Sequence, residues 1–131
     1  MNDRMKLSLT QLGFFSHPTE KWVGCKVHYK VNGPKRLLKD LQNFVDTHKT
    51  ENVKLEDDIV AYAHLDPADN FDLETGKRVA RAKVESMAYN RIWGLIDRYC
   101  DYMQESANTL DAFVETASTV MAHNRDYIDK F

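Results

Sequence analysis

The stretch from Ala63 to Lys83 constrains the fold more than any other part of the chain. An apolar alternation there meets Pro67, crosses an acidic turn and resumes as a helical pattern studded with Lys77, Arg78, Arg81 and Lys83. Proline has no amide hydrogen to give to a sheet ladder, so a strand stops at it. The carboxylates of Asp69-Asn70-Phe71-Asp72 can accept the orphan amide hydrogens of a first helical turn, where the negative charge of Glu74 is also favourable. A strand over Ile59 to Leu65 is therefore predicted to hand over directly to a helix, with Phe71 as an apolar staple and Gly76 and Ala80 as small contacts against the sheet.

Downstream, Val79, Ala80, Val84, Met87, Ala88, Ile92, Leu95, Ile96, Tyr99 and Met103 recur at helical spacing to about Glu105. Gly94 costs such a helix about 1 kcal/mol relative to alanine, enough for a bend but not a break. Ser106 to Asn108 read as a short connector and Thr109 as the cap of a last helix with Leu110, Phe113, Val114, Ala117, Val120 and Met121 on its core face. Helices joined so briefly pack antiparallel, so a C-terminal helical hairpin is expected.

Upstream, Val23, Cys25, Val27, Tyr29 and Val31 alternate with Trp22, Gly24, Lys26, His28 and Lys30. A period of two over so many residues is an antiparallel strand with one packed and one wet face. Met5, Leu7 and Leu9 read as its partner, although the Leu12 to Phe15 cluster and Pro18 blur where that strand ends. Residues 16–19 are turn-like. After Asn32-Gly33-Pro34, with proline at the first helical position, Leu37, Leu38, Leu41, Phe44 and Val45 form one stripe of a helix that ends near His48, with Lys49 favourable against the dipole. The expected order is β-β-α-β-α-α: an α+β fold, a small antiparallel sheet covered by helices. A chain of 131 residues holds one such domain, with a sheet-rich half over 1–66 and a helical half over 69–131.

A content of 43% hydrophobic and 29% charged residues is that of a globular protein, and no run of about 18 apolar residues is present to cross a membrane. The N-terminus also lacks the apolar stretch of a signal peptide, so a cytoplasmic setting, without membrane partners, is expected. There, Cys25 and Cys100 stay thiols that pack as small hydrophobes.

The net charge of −2 conceals a gradient. Residues 1–50 hold nine Lys/Arg against four Asp/Glu, a net of +5; residues 51–74 hold one lysine against eight acids, a net of −7; the remainder balances. Either the two ends are contact surfaces, or they are solvated faces that attract each other within or between subunits.

Catalytic and metal signatures are absent from this pattern. Asp66, Asp69, Asp72 and Glu74 lack the alternation, central glycine and twelfth-position glutamate of an EF-hand loop. His17, His28, His48, His64 and His123 form no metal-ligand pair of the usual spacing. Cys25 with His28 or His64 could pair on a sheet, but Cys25 reads as inward and His28 as outward. No phosphate-cradling glycine loop or nucleophile elbow occurs. No catalytic residue, metal or cofactor is expected, and the chain reads as a non-enzyme.

Two binding classes compete. Trp22, Lys26, His28 and Lys30 share a strand face, and Arg78 and Arg81 lie on the first turns of the long helix, so a basic surface with an aromatic platform could follow a nucleic-acid backbone. Alternatively, the C-terminal helices carry Tyr89, Trp93, Tyr99 and Tyr102 beside their core positions, more apolar surface than a small sheet can cover, which a homodimer interface would absorb.

Ala63, Pro67, Asp69, Phe71, Asp72, Gly76 and Ala80, with Lys83 following, resemble a pattern found in small proteins of tailed bacteriophages and prophages. Those proteins commonly have strands before the pattern and a helix running through it. Two departures stand out: Leu65 replaces a cysteine that many relatives carry, and the chain continues well past Arg91, where the short relatives end. The resemblance implies a small accessory protein that binds a host protein in the bacterial cytoplasm. Anti-defence inhibitors, anti-CRISPR proteins among them, belong to that class. In that setting Glu56, Asp57, Asp58, Asp66 and Asp69 would present an acidic surface that imitates nucleic acid to a basic host enzyme.

Overall fold

The computed structural model describes residues 4–17, 19–48, 53–64 and 72–131. Strand β1 (Lys6–His17), strand β2 (Trp22–Asn32), helix α1 (Lys35–Thr47), strand β3 (Glu56–His64) and helix α2 (Leu73–Asp129) follow in that order. The strands form one antiparallel sheet in the order β1-β2-β3. The fold is α+β, with β2 and the first helix where the alternation and the Pro34 start place them.

Strand β1 is longer than the Met5 to Leu9 alternation alone predicts. Its register against β2 shifts between Gln11 and Gly13, so Leu12 is the extra residue of a bulge and sits half in solvent. Absorbing one residue restores the alternation and lets Phe14 and Phe15 continue the strand on opposite faces. The sequence blurred there because a bulge breaks the period-two pattern without breaking the strand.

The packed face of the sheet is the one the alternation foretold. Val23, Cys25, Val27, Tyr29 and Val31 are buried, and β3 adds Ile59, Ala61 and Ala63. Leu41 and Phe44 of α1 are buried, as are Gly76, Ala80, Val84, Ala88, Ile92 and Leu95 of α2, at steps of four and finally three. A Cβ placed on Gly76 would lie 2.6 Å from Val23 Cγ2, so the helix backbone rests directly on the Val23 side chain. Farther along, Arg91 reaches the Tyr29 hydroxyl, which also donates a 2.6 Å hydrogen bond to the Lys54 carbonyl. The helical rise from 76 to 91 and the strand rise from 23 to 29 both come to about 20 Å, so α2 keeps pace with β2 along its length.

The helix start at Asp72 is as expected. Its carboxylate accepts from the Glu74 amide at 3.1 Å and the Thr75 hydroxyl at 2.6 Å, while its carbonyl takes the first helical bond from Gly76. Leu65, Asp66, Pro67, Asp69, Asn70 and Phe71 lie outside the described residues, as does Lys49.

The C-terminal hairpin is corrected: the order is β-β-α-β-α, and α2 runs helical through 106–108. Thr109 caps nothing. Its hydroxyl donates back to the Glu105 carbonyl at 3.1 Å, and Gln104 bonds Asn108 one turn on at 2.9 Å. Both contacts belong to a helix interior, and the stretch has neither glycine nor proline to stop it.

The chain divides into two units, Met1–Leu95 and Ile96–Phe131. The first contains the sheet, α1 and the buried part of α2. The second is helical and contains no buried residue. No helix among the described residues is long and apolar enough to cross a membrane.

Candidate functional site

The uncovered face of the sheet brings together six of the residues expected to bind partners: Trp22, Lys26, His28, Lys30, Glu56 and Asp58. Because partners directly opposite share a face, Trp22, Gly24, Lys26, His28 and Lys30 line up with Glu56, Asp58, Val60, Tyr62 and His64 of β3, and with Phe15 and His17 of β1.

At one end lies an aromatic cluster. Trp22 and Tyr62 meet edge to face with centroids 5.5 Å apart, and Phe15 packs edge-on against both, at 6.0 Å from Trp22 and 5.8 Å from Tyr62. His17 stacks on Trp22 at 5.7 Å. Phe15 covers Gly24 so closely that a Cβ there would collide with its ring, and the missing side chain is what lets the ring lie flat on the sheet. Trp22 is anchored by an indole hydrogen bond of 3.0 Å to Glu20. The rings brace one another yet stay accessible, Phe15 at 39% and Tyr62 at 43%.

Beside the rings, basic and acidic side chains interleave on the same face. His28 bridges two carboxylates, Nδ1 at 2.6 Å from Asp58 and Nε2 at 2.7 Å from Glu56. Hydrogen bonding to Asp58 first, then to Glu56, raises the imidazole pKa above its ordinary value. Lys26 lies 3.9 Å from Asp58, and the register sets Lys30 opposite Glu56. The basic strand face and the acidic strand face of the sequence are thus one surface.

The structure separates other expected companions. Asp57 points to the packed face opposite Tyr29, away from Glu56 and Asp58, and Asp66 and Asp69 lie outside the described residues. Cys25 is buried on the face opposite His28, and burial pushes its thiol pKa up. Both cysteines are free thiols. In the helix's basic cluster, Lys83 donates to the Tyr62 carbonyl at 3.2 Å and Lys77 sits over the Phe14 ring. Arg81 turns one guanidinium nitrogen into the protein, where its charge acts on Cys25, while Arg78 stays exposed beside Asp72. Among the described residues no His, Cys, Asp and Glu side chains gather as a metal site.

The aromatics of α2 fall into two sets. Tyr89 and Trp93, four residues apart, share one side of the helix about 40° from each other, with Trp93 67% exposed. Tyr99 and Tyr102 belong to the second unit.

Within that second unit, positions 103, 106, 110, 113, 117, 120, 124, 127 and 131 recur at alternating intervals of three and four. This is an unbroken heptad seam. It contains Leu110, Phe113, Ala117 and Val120 of the expected core face, and its large side chains are exposed, Leu110 at 65% and Phe113 at 70%.

Phe15 and Tyr62 escaped the sequence reading. Tyr62 was legible once Ala61 and Ala63 were assigned inward, whereas Phe15 was hidden by the Leu12 bulge.

No protein-family model matches the chain. No curated protein and no solved structure matches it either.

Proposed function

We propose that this chain is a non-enzymatic accessory protein that works by docking the open face of its sheet onto another protein. The observation that carries this reading is the braced cluster of Phe15, Trp22 and Tyr62 beside a rim where Lys26 and His28 engage Asp58 and Glu56. Rigid, accessible Trp and Tyr side chains next to satisfied polar groups are the composition of a protein-binding hot spot. A nucleic-acid face would need unspent positive charge, and here Lys26 and His28 engage Asp58 and Glu56 while Lys30 stands opposite Glu56 in the strand register. The resemblance at Ala63 to Ala80 supplies the setting: a tailed-phage protein acting on a host factor in the bacterial cytoplasm, with anti-defence inhibition, including anti-CRISPR activity, as one such role. Contact through the aromatic patch takes the place of acidic mimicry as the working mode.

The test is affinity capture by the full chain from nuclease-treated bacterial lysate, with the captured protein then purified and re-bound. The reading expects capture to survive nuclease and a Trp22→Ala/Tyr62→Ala variant to bind at least about 30-fold more weakly, the loss of about 2 kcal/mol typical of an anchor residue. Salt-sensitive binding to single- or double-stranded oligonucleotides, weakened by Lys26→Ala/Lys30→Ala, would instead establish nucleic-acid binding.

A further inference from the structure

The heptad seam of residues 96–131 leaves a long apolar stripe in water. Met103, Leu110, Phe113, Val120, Tyr127 and Phe131 are each more than half exposed. Summed over its large side chains, the stripe offers on the order of 900 Å² of apolar surface, close to the roughly 800 Å² per partner of a stable protein interface. A sustained repeat of seven is also the pattern that keeps one helix face against another along its whole length.

We propose that the occupant of this stripe is the same segment of a second copy, running antiparallel, with Ser106 of one chain facing Asn124 of the other. The sequence is self-complementary about position 115. In that register Leu110 meets Val120, and the bulky Phe113 meets the small Ala117, so volume is matched at each level. The two polar seam residues, Ser106 and Asn124, meet each other and can exchange hydrogen bonds rather than face apolar partners. A parallel, in-register pair sets Phe113 against Phe113 and Ala117 against Ala117, crowding one level and hollowing the next.

Charge permits the contact. The positions flanking the central seam, Ala107, Val114 and Met121 on one side and Thr109, Thr116 and His123 on the other, carry no acids. The acidic residues Asp111, Glu115, Asp126 and Asp129 occupy the outer positions of the heptad. Two copies therefore close without like charges at the seam.

This inference goes beyond the sheet-face reading and is independent of it. The test uses the full chain in a Cys100→Ser background, with Cys25 buried. Light scattering on this protein should give twice the chain mass, and Phe113→Asp should return it to the monomer mass. Ser106→Cys and Asn124→Cys variants are then oxidised separately and as an equimolar mixture. The antiparallel pair predicts covalent dimer from the mixture and none from either variant alone. A disulfide formed by either variant by itself would establish a parallel pair and overturn the proposal. A monomeric or higher-order mass for the background protein would overturn it as well. Neither result would alter capture through Trp22 and Tyr62.

Discussion

His28 and Asp58 face each other across the β2–β3 pair with Nδ1 2.6 Å from a carboxylate oxygen, and Glu56 holds the other ring nitrogen. The imidazole bridges two acids on a solvent-facing strand, and its titration is thereby coupled to the pairing of β2 with β3.

Because this arrangement raises the His28 pKa in the folded state, its stabilising contribution is fully present below the ordinary histidine value. It is lost as pH rises through the raised one. Thermal melts across that window should show stability falling with rising pH, and His28→Ala should remove that component of the slope. Two-dimensional NMR titration of the ring reads the same effect directly; titration at or below the ordinary value would mean that the bridge does not form.

Asp72 works in the opposite sense. The Thr75 hydroxyl, followed by the Thr75 and Glu74 amides, lowers its pKa, so its stabilisation is present above the ordinary carboxyl value and lost as pH falls through the lowered one. Thr75→Val, which removes the largest cause and keeps the side-chain shape, should move the Asp72 titration upward and reduce the melting temperature at neutral pH.

Gly76→Ala sets two effects against each other. Alanine favours the helix by about 1 kcal/mol. Its methyl, however, would enter Val23 Cγ2, a stiff β-branched side chain that is fully buried and has nowhere to swing. Overpacking of this kind costs about 1 to 3 kcal/mol and should win. Urea unfolding should show a lower midpoint with an unchanged slope. At Gly24 the obstacle is instead the accessible ring of Phe15. Gly24→Ala should therefore change the unfolding free energy by no more than about 1 kcal/mol while displacing that ring from Trp22, a change visible in ring-current shifts.

The sheet and the start of α2 were legible because their signals are local. Alternation from Val23 to Val31 and the capping residue Asp72 each act over a few neighbours, and both appear where expected. The path of α2 beyond Glu105 was not, because a polar, Thr-containing stretch reads as a connector whenever the next apolar stripe is assumed to need a core within the same chain. In the structure Leu110, Phe113, Val114, Val120 and Met121 are each more than half exposed. The open face was half legible. Trp22, Lys26, His28 and Lys30 followed from one strand, but the pairing of Lys26 and His28 with Glu56 and Asp58 depends on strand pairing across a helix, which local pattern cannot set.

The most direct test of the docking face is Trp22 fluorescence in a Trp93→Phe background, recorded while the full chain is titrated with the purified captured protein. Docking through the sheet predicts a saturable blue shift of the Trp22 emission as the indole leaves water, with a midpoint matching complex formation measured by mass. A complex that forms with the Trp22 emission unchanged would place the contact elsewhere and contradict the account.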